Sequence, residues 1–105
     1  MTLVVSLGGW TNLSRLGYDL LVTTVRAGGV RFKIYPQDHE PRHAHGLYGG
    51  IEVIVDLLAD GTVRLTRRKD AVQPGNAKRS DVRKILNAAA EHFEAIADAW
   101  EEMHR

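Results

Sequence analysis

A run of apolar residues spaced three and four positions apart dominates the C-terminal quarter of this sequence. The run comprises Val82, Ile85, Leu86, Ala89, Phe93, Ile96, Ala97, Trp100 and Met103. Residues at this spacing lie on one face of an α-helix. The pattern therefore predicts one long amphipathic helix over residues 80–104, with Ser80 as its N-cap and Asp81 placed favourably for the helix dipole. Such a helix needs a second layer against which to bury its apolar face.

The segments before the helix predict that second layer. Short stretches rich in β-branched and alternating apolar residues predict strands, with glycine pairs at 28–29 and 49–50 as turns. The predicted strands are residues 2–6, 20–26, 30–35, 43–48, 51–58 and 62–66. Residues 11–17 fit either a loop or one helical turn, and residues 67–79 are predicted to be a charged stretch and a loop. We expect an α+β fold: a small antiparallel sheet, arranged as a meander of hairpins, packed against one long C-terminal helix.

Composition restricts the class of protein further. The 105 residues suffice for a single domain, 1–105, with a modest core. Cysteine is absent, which excludes disulfides, thiolate metal ligands and a thiol nucleophile, and favours a reducing compartment. No apolar run approaches the ~20 residues that cross a bilayer, and no secretory signal pattern is present. A cytoplasmic protein without a membrane partner is therefore expected.

Three of the five histidines fall within residues 38–45, Asp-His-Glu-Pro-Arg-His-Ala-His. If residues 43–48 are extended, His43 and His45 point to the same face of a strand. Two imidazoles so placed can chelate one metal ion, or act as base and acid on either side of a phosphodiester. Asp38 can orient one of them, and His92, at the edge of the helix's apolar stripe, is the natural third metal ligand. An open metal site made of His43, His45 and a carboxylate is the alternative. The same residues also fit a surface or half-buried structural role.

Positive charge is concentrated between residues 64 and 84. Eight basic residues lie there against two acidic ones, although the net charge of the whole chain is only +1. They are Arg64, Arg67, Arg68, Lys69, Lys78, Arg79, Arg83 and Lys84. Such a positive end is predicted to bind RNA, DNA or an acidic protein partner. A solvated surface of mixed charge is the alternative.

Residues 22–48 resemble the opening of a small prokaryotic domain family of unknown function. In that family a strand, a Gly-Gly turn and an aromatic strand precede the motif Asp-His-x-Pro-Pro-His-x-His, and a helix follows with a histidine eight residues before a tryptophan. His92 and Trp100 keep this spacing. This chain departs from the pattern at Arg42, where a second proline is usual, and at Ala44, where an aromatic residue is common. The resemblance covers about residues 22–103, so residues 1–21 form an N-terminal extension, followed by strands with the histidine-rich loop (22–66) and the helix (80–104).

The resemblance implies a set of shared site residues: Asp38, His39, His43, His45 and His92. Members of the family are often encoded beside another small protein, in an arrangement similar to toxin–antitoxin pairs. A small cognate protein is therefore an expected partner, beside RNA.

Three functions follow as hypotheses. The first is a toxin-like protein of a toxin–antitoxin-type pair that acts as a metal-independent ribonuclease, without a cofactor, with His43 and His45 as acid and base. The second is a noncatalytic module that binds a protein or nucleic acid. The third is a hydrolase with a divalent metal at His43, His45 and His92. Whether the chain is an enzyme, and its oligomeric state, stay open at the level of sequence.

Overall fold

The computed structural model describes residues 4–7 and 22–105. Its elements are β1 (Val4–Leu7), β2 (Thr23–Ala27), β3 (Val30–Ile34), β4 (His43–Tyr48), β5 (Ile51–Leu57), β6 (Val63–Leu65), β7 (Val72–Gln73), α1 (Arg79–Glu91) and α2 (Phe93–Met103). The strands form one sheet and the two helices contribute to a common core with it. The predicted α+β class is confirmed.

The sheet is an antiparallel meander in the order β1-β2-β3-β4-β5-β6. One edge of β5 is shared, because residues 55–57 pair with β6 while residues 52 and 53 pair with β7. β7 lies within the stretch 67–79 that was predicted to be a charged segment and loop. Two residues are too few for a strand to show a periodic pattern.

Glycine pairs make two tight turns of the sheet, as predicted. Gly28 and Gly29 have φ of 59° and 80°, and Gly49 and Gly50 have φ of 56° and 83°. Positive φ at both central residues is characteristic of the two-residue hairpin turn, and glycine adopts it without a steric penalty. These turns set the registers of β2 with β3 and of β4 with β5.

The prediction of one long helix over residues 80–104 is wrong, because two helices meet at His92. There the backbone has φ −115° and ψ 29°, outside the helical region, although its N–H still donates to the Ala88 carbonyl. The break lets α1 lie against β4, β5 and β6 while α2 lies against β2, β3 and β4. Because the strands of a twisted sheet change direction across it, the break allows each helix to align with its own set of strands. Ser80 is also not the N-cap: that position belongs to Lys78, which makes no side-chain capping bond.

The core lies between the sheet and the helices. Its largest fully buried side chains are Trp100, Phe32, Ile34, Ile85, Ile96, Val25, Val30, Val53 and Val55. At Gly46, β4 packs closely against Ile85 of α1 and Phe32 of β3. A Cβ at this position would lie 2.5 Å from Ile85 Cγ2 and 3.0 Å from the ring of Phe32. In the part of the chain that the structure describes, no helix has both the length and the apolar character to cross a membrane.

At the N-terminus, β1 adds an edge strand by pairing with β2, with Val4 opposite Arg26. At least part of the predicted extension 1–21 is thus joined to the sheet. The predicted loop or helical turn at 11–17, and the ends of the predicted strands at residues 2–3 and 20–21, lie outside the described residues.

Candidate functional site

A tight turn after β3 fixes the position of Asp38. The N–H of Asp38 donates to the Tyr35 carbonyl at 3.1 Å, and the Asp38 carboxylate accepts from the Tyr35 N–H at 3.3 Å. Pro36 occupies the second position of this turn, where its fixed φ is favourable. The Asp38 side chain is 14% exposed, so it is held close to the protein rather than in solvent.

His43 and His45 lie on the same face of β4, as the alternation of a strand predicts. Their ring centroids are 5.4 Å apart, and both residues are buried. Tyr35 contacts the His45 ring edge-on at 4.9 Å, and Trp100 of α2 lies 5.4 Å from the His43 ring. Aromatic contacts therefore restrict both imidazoles.

Each imidazole has a hydrogen-bond acceptor at its Nδ1 atom. His43 Nδ1 lies 2.9 Å from the Pro41 carbonyl oxygen, and His45 Nδ1 lies 2.8 Å from Glu52 Oε2. A carbonyl or a carboxylate only accepts, so both Nδ1 atoms carry the proton. In the neutral rings the lone pair is then on Nε2.

Both Nε2 atoms converge on the carboxylate of Asp38. Its Oδ2 atom lies 3.4 Å from His43 Nε2 and 3.5 Å from His45 Nε2. The two Nε2 atoms are buried and have no hydrogen-bond partner. Asp38, His43 and His45 offer ligand atoms that all lie within 4.8 Å of one another, the one such group among the described residues. Asp38 thus faces the ring nitrogens, and Glu52 orients His45.

A cleft of about 540 Å³ opens beside this cluster. Its lining comes from residues 37–43 of the histidine-rich segment and from β5, β6 and the residues after β6: Gln37, Asp38, His39, Glu40, Pro41, His43, Asp56, Arg64, Thr66, Arg67 and Arg68. The histidine-rich segment and the first part of the predicted basic cluster therefore meet at one cleft.

Asp56 is a site residue that the sequence did not single out. It lies opposite His43 in the register of β4 with β5, lines the cleft and is 3% exposed. Its Oδ2 atom accepts from Arg64 Nε at 3.3 Å, whereas its Oδ1 atom is buried without a partner. The available signal was its spacing: Asp56 and Glu52 share one face of the predicted strand, and that face is the one that pairs with the histidines.

Two predicted site histidines lie outside the cluster. His39 is exposed and contributes to the lining of the cleft. His92 lies at the break between the helices, with its Nε2 atom 3.7 Å from Glu91 Oε2. The His92 side chain is 12% exposed, and its ring is not among the converging ligand atoms. The third member of the cluster is Asp38.

The predicted basic cluster is distributed over different surfaces. Arg64, Arg67 and Arg68 line the histidine cleft, while Arg83 and Lys84 of α1 line a second cleft beside Gly28. Lys69, Lys78 and Arg79 are exposed and line neither of these clefts. Arg68 also donates two hydrogen bonds to the Asp70 carboxylate, from Nε at 2.9 Å and from Nη2 at 2.7 Å. This hydrogen bonding lowers the pKa of Asp70 below its ordinary value.

Arg42 joins the histidine-rich loop to α2. Its guanidinium donates to the Leu58 carbonyl at 3.2 Å and to Glu101 at 3.3 Å, and lies 5.6 Å from the centre of the Phe93 ring. Arg42 is the residue immediately before His43, so its contacts hold the start of β4. The loop is thus held by side-chain contacts as well as by Pro41.

The fold and the site define a class: a small α+β protein with an aspartate and two histidines converging beside an arginine-lined cleft. A family model described as a domain of unknown function, DUF4160, matches residues 29–101, which is more than two thirds of the chain. The chain belongs to this family, and the predicted resemblance to a family of unknown function is confirmed. Comparison with curated proteins gave no match, and comparison with solved structures gave none.

Proposed function

We propose that this protein binds the phosphodiester backbone of RNA in the histidine cleft and cleaves it there. The observation that carries the proposal is the meeting of Arg64, Arg67 and Arg68 with Asp38 and His43 in one cavity. Guanidinium groups match the geometry of phosphate oxygens and stay charged at every physiological pH. A volume of about 540 Å³ is in the range of small-ligand sites, so the cleft has room for part of an RNA chain.

The histidine cluster is the chemical part of the proposal. Cleavage by an imidazole pair requires one ring to take a proton from the attacking hydroxyl and the other to protonate the leaving oxygen. Here both Nε2 atoms are covered by the same carboxylate oxygen of Asp38. Asp38 therefore controls access to His43 and His45, and its side chain has to move away from the two Nε2 atoms before either ring can act as acid or base on a phosphate.

The toxin-like role and the small cognate protein partner rest on the family resemblance and stay predictions. Their test is growth on induced expression of the chain, with and without the neighbouring gene. We expect inhibition by the native chain, relief by the neighbour's product and no inhibition by the His45→Ala variant. Normal growth with the native chain would remove the toxin-like role.

Binding and cleavage of a fluorescent single-stranded RNA test the proposed activity. The Arg67→Ala/Arg68→Ala variant is expected to weaken binding at least about 10-fold and to reduce the slope of log affinity against log salt by about two. A matched control, Arg79→Ala/Arg83→Ala, removes the same charge from α1 and is expected to change binding little. Equal losses in both double variants would contradict binding in the cleft.

The histidine variants separate cleavage from binding. His43→Ala and His45→Ala are expected to abolish cleavage while circular dichroism shows an intact fold and RNA binding persists. Cleavage that survives both substitutions would refute the activity. Binding that depends on Arg67 and Arg68, with no cleavage by the native chain, would instead identify a noncatalytic interaction module. Cleavage that is unchanged by a chelator would identify the metal-independent acid–base pair.

A further inference from the structure

We propose that Asp38, His43 and His45 bind one divalent transition-metal cation of the zinc type. The three side chains come from the turn after β3 and from β4, and their ligand atoms lie within 4.8 Å of one another. The inference does not depend on RNA as the ligand of the cleft, because it rests on this cluster alone.

The hydrogen bonds at Nδ1 prepare both rings for metal binding. Because His43 Nδ1 donates to the Pro41 carbonyl and His45 Nδ1 donates to Glu52, each ring presents a bare Nε2 atom to the centre of the cluster. Metal-binding histidines in proteins nearly always donate their other N–H to a carbonyl or a carboxylate in this way. The outer contacts of a metal site are therefore already in place.

The centre of the cluster holds acceptors without a donor. Two buried Nε2 atoms without hydrogen-bond partners face the Asp38 carboxylate at 3.4 and 3.5 Å. Buried acceptors that lack a partner are costly. A proton on one ring pairs that ring with Asp38 and leaves the other ring bare, whereas a cation between the three groups satisfies all of them together.

Two of the three separations within the cluster are close to those of a tetrahedral ion. Zinc binds histidine nitrogen and carboxylate oxygen at about 2.0–2.1 Å, so neighbouring ligand atoms of a tetrahedral site lie about 3.3 Å apart. The distances from Asp38 Oδ2 to His43 Nε2 and His45 Nε2, 3.4 and 3.5 Å, differ from this value by only a few tenths of an ångström. The ligand atoms of the two rings lie within 4.8 Å of each other, so the rings have to approach by up to about 1.5 Å when the ion binds.

The donor set indicates which cations would bind. Two imidazole nitrogens and one carboxylate oxygen suit zinc, cobalt and other first-row transition metals, while magnesium and calcium prefer sites made of oxygen. Three protein ligands leave a fourth position open, as in catalytic rather than structural zinc sites. Asp38 and His43 also line the cleft, so we place that fourth position on the cleft side.

Zinc binding by the metal-free full chain, followed by isothermal titration calorimetry, tests the inference without RNA. We expect one zinc ion per chain, and cobalt substitution with the visible absorption of a tetrahedral site. Asp38→Asn, which keeps the shape of the side chain and sits on a turn, and His45→Ala should each weaken zinc binding more than about 100-fold, beyond the 10–100-fold typical of outer contacts. Circular dichroism checks that each variant folds.

Two further variants decide the identity of the third ligand and the specificity of the site. His92→Ala should retain the zinc affinity of the native chain, because His92 lies outside the cluster. His104→Ala, a second histidine outside the cluster, should do the same. Native affinity in folded Asp38→Asn, or absence of stoichiometric zinc binding by the native chain, would overturn the inference. Loss of zinc binding in His92→Ala alone would also overturn it and favour a different ligand set.

Discussion

Gly46 allows a sharp test of how the sheet and α1 fit together. An alanine Cβ at this position would lie 2.5 Å from Ile85 Cγ2 and 3.0 Å from Phe32 Cε1, and both neighbours are fully buried. Overfilling a packed core costs about 1–3 kcal/mol. Gly46 has no positive φ, so alanine also restricts the unfolded chain, which returns about 0.4–1 kcal/mol. The expected net loss for Gly46→Ala is about 1–2 kcal/mol.

Denaturant unfolding followed by circular dichroism measures this loss, and thermal unfolding should show a midpoint lower by about 4–8 °C. The cause is tested by a double-mutant cycle with Ile85→Ala, which removes the Cγ2 atom and alone costs about 2–5 kcal/mol. In that background Gly46→Ala should be nearly neutral. Ile85→Val is the control: it keeps Cγ2, so Gly46→Ala should cost as much free energy of unfolding in this background as in the native chain. Equal losses from Gly46→Ala in the native and Ile85→Ala backgrounds would refute the steric reasoning.

Three further predictions concern the histidine cluster and the arginines near it. Glu52→Gln keeps a hydrogen-bond acceptor for His45 but removes the charge. Zinc affinity measured by calorimetry should therefore fall about 10–100-fold with no change in fold. Unchanged affinity would contradict the role of Glu52 in orienting His45. Arg64→Ala leaves the buried Asp56 carboxylate without its ion pair and should lower the free energy of unfolding by about 1–2 kcal/mol, a modest value because Arg64 is 44% exposed. Arg68→Ala should raise the pKa of Asp70 toward its ordinary 3.8, which a carboxyl NMR titration would detect and a fixed pKa would disprove.

The strands were predictable where alternation and turn residues agree. For β3 to β5 the predicted ends differ from the observed ends by at most one residue, and in β3 the alternating apolar residues Val30, Phe32 and Ile34 are the buried ones. The break at His92 was not predictable, because no glycine or proline marks it and the apolar spacing continues across it. The break follows from how the helices meet the sheet, which a single helical pattern does not contain.

The site was predictable only as far as it is local in sequence. Asp38, His43 and His45 lie within one segment, and strand alternation brings the two histidines together. Glu52 and Asp56 belong to the next strand, and their relation to the histidines depends on the register set by the turn. For the same reason the sequence did not separate the arginines of the cleft from the basic residues of α1.

The two imidazoles differ in how their orientation is encoded. The partner of His43 is the main-chain oxygen of Pro41, and a substitution at that position changes the side chain but leaves the oxygen. The partner of His45 is the Glu52 side chain, which a single codon change removes. Family members under purifying selection should therefore tolerate substitutions at the Pro41 position, which supports His43, more readily than at the Glu52 position, which supports His45. An acidic residue at the Glu52 position would then mark the relatives that hold the ring of the second histidine in the same orientation.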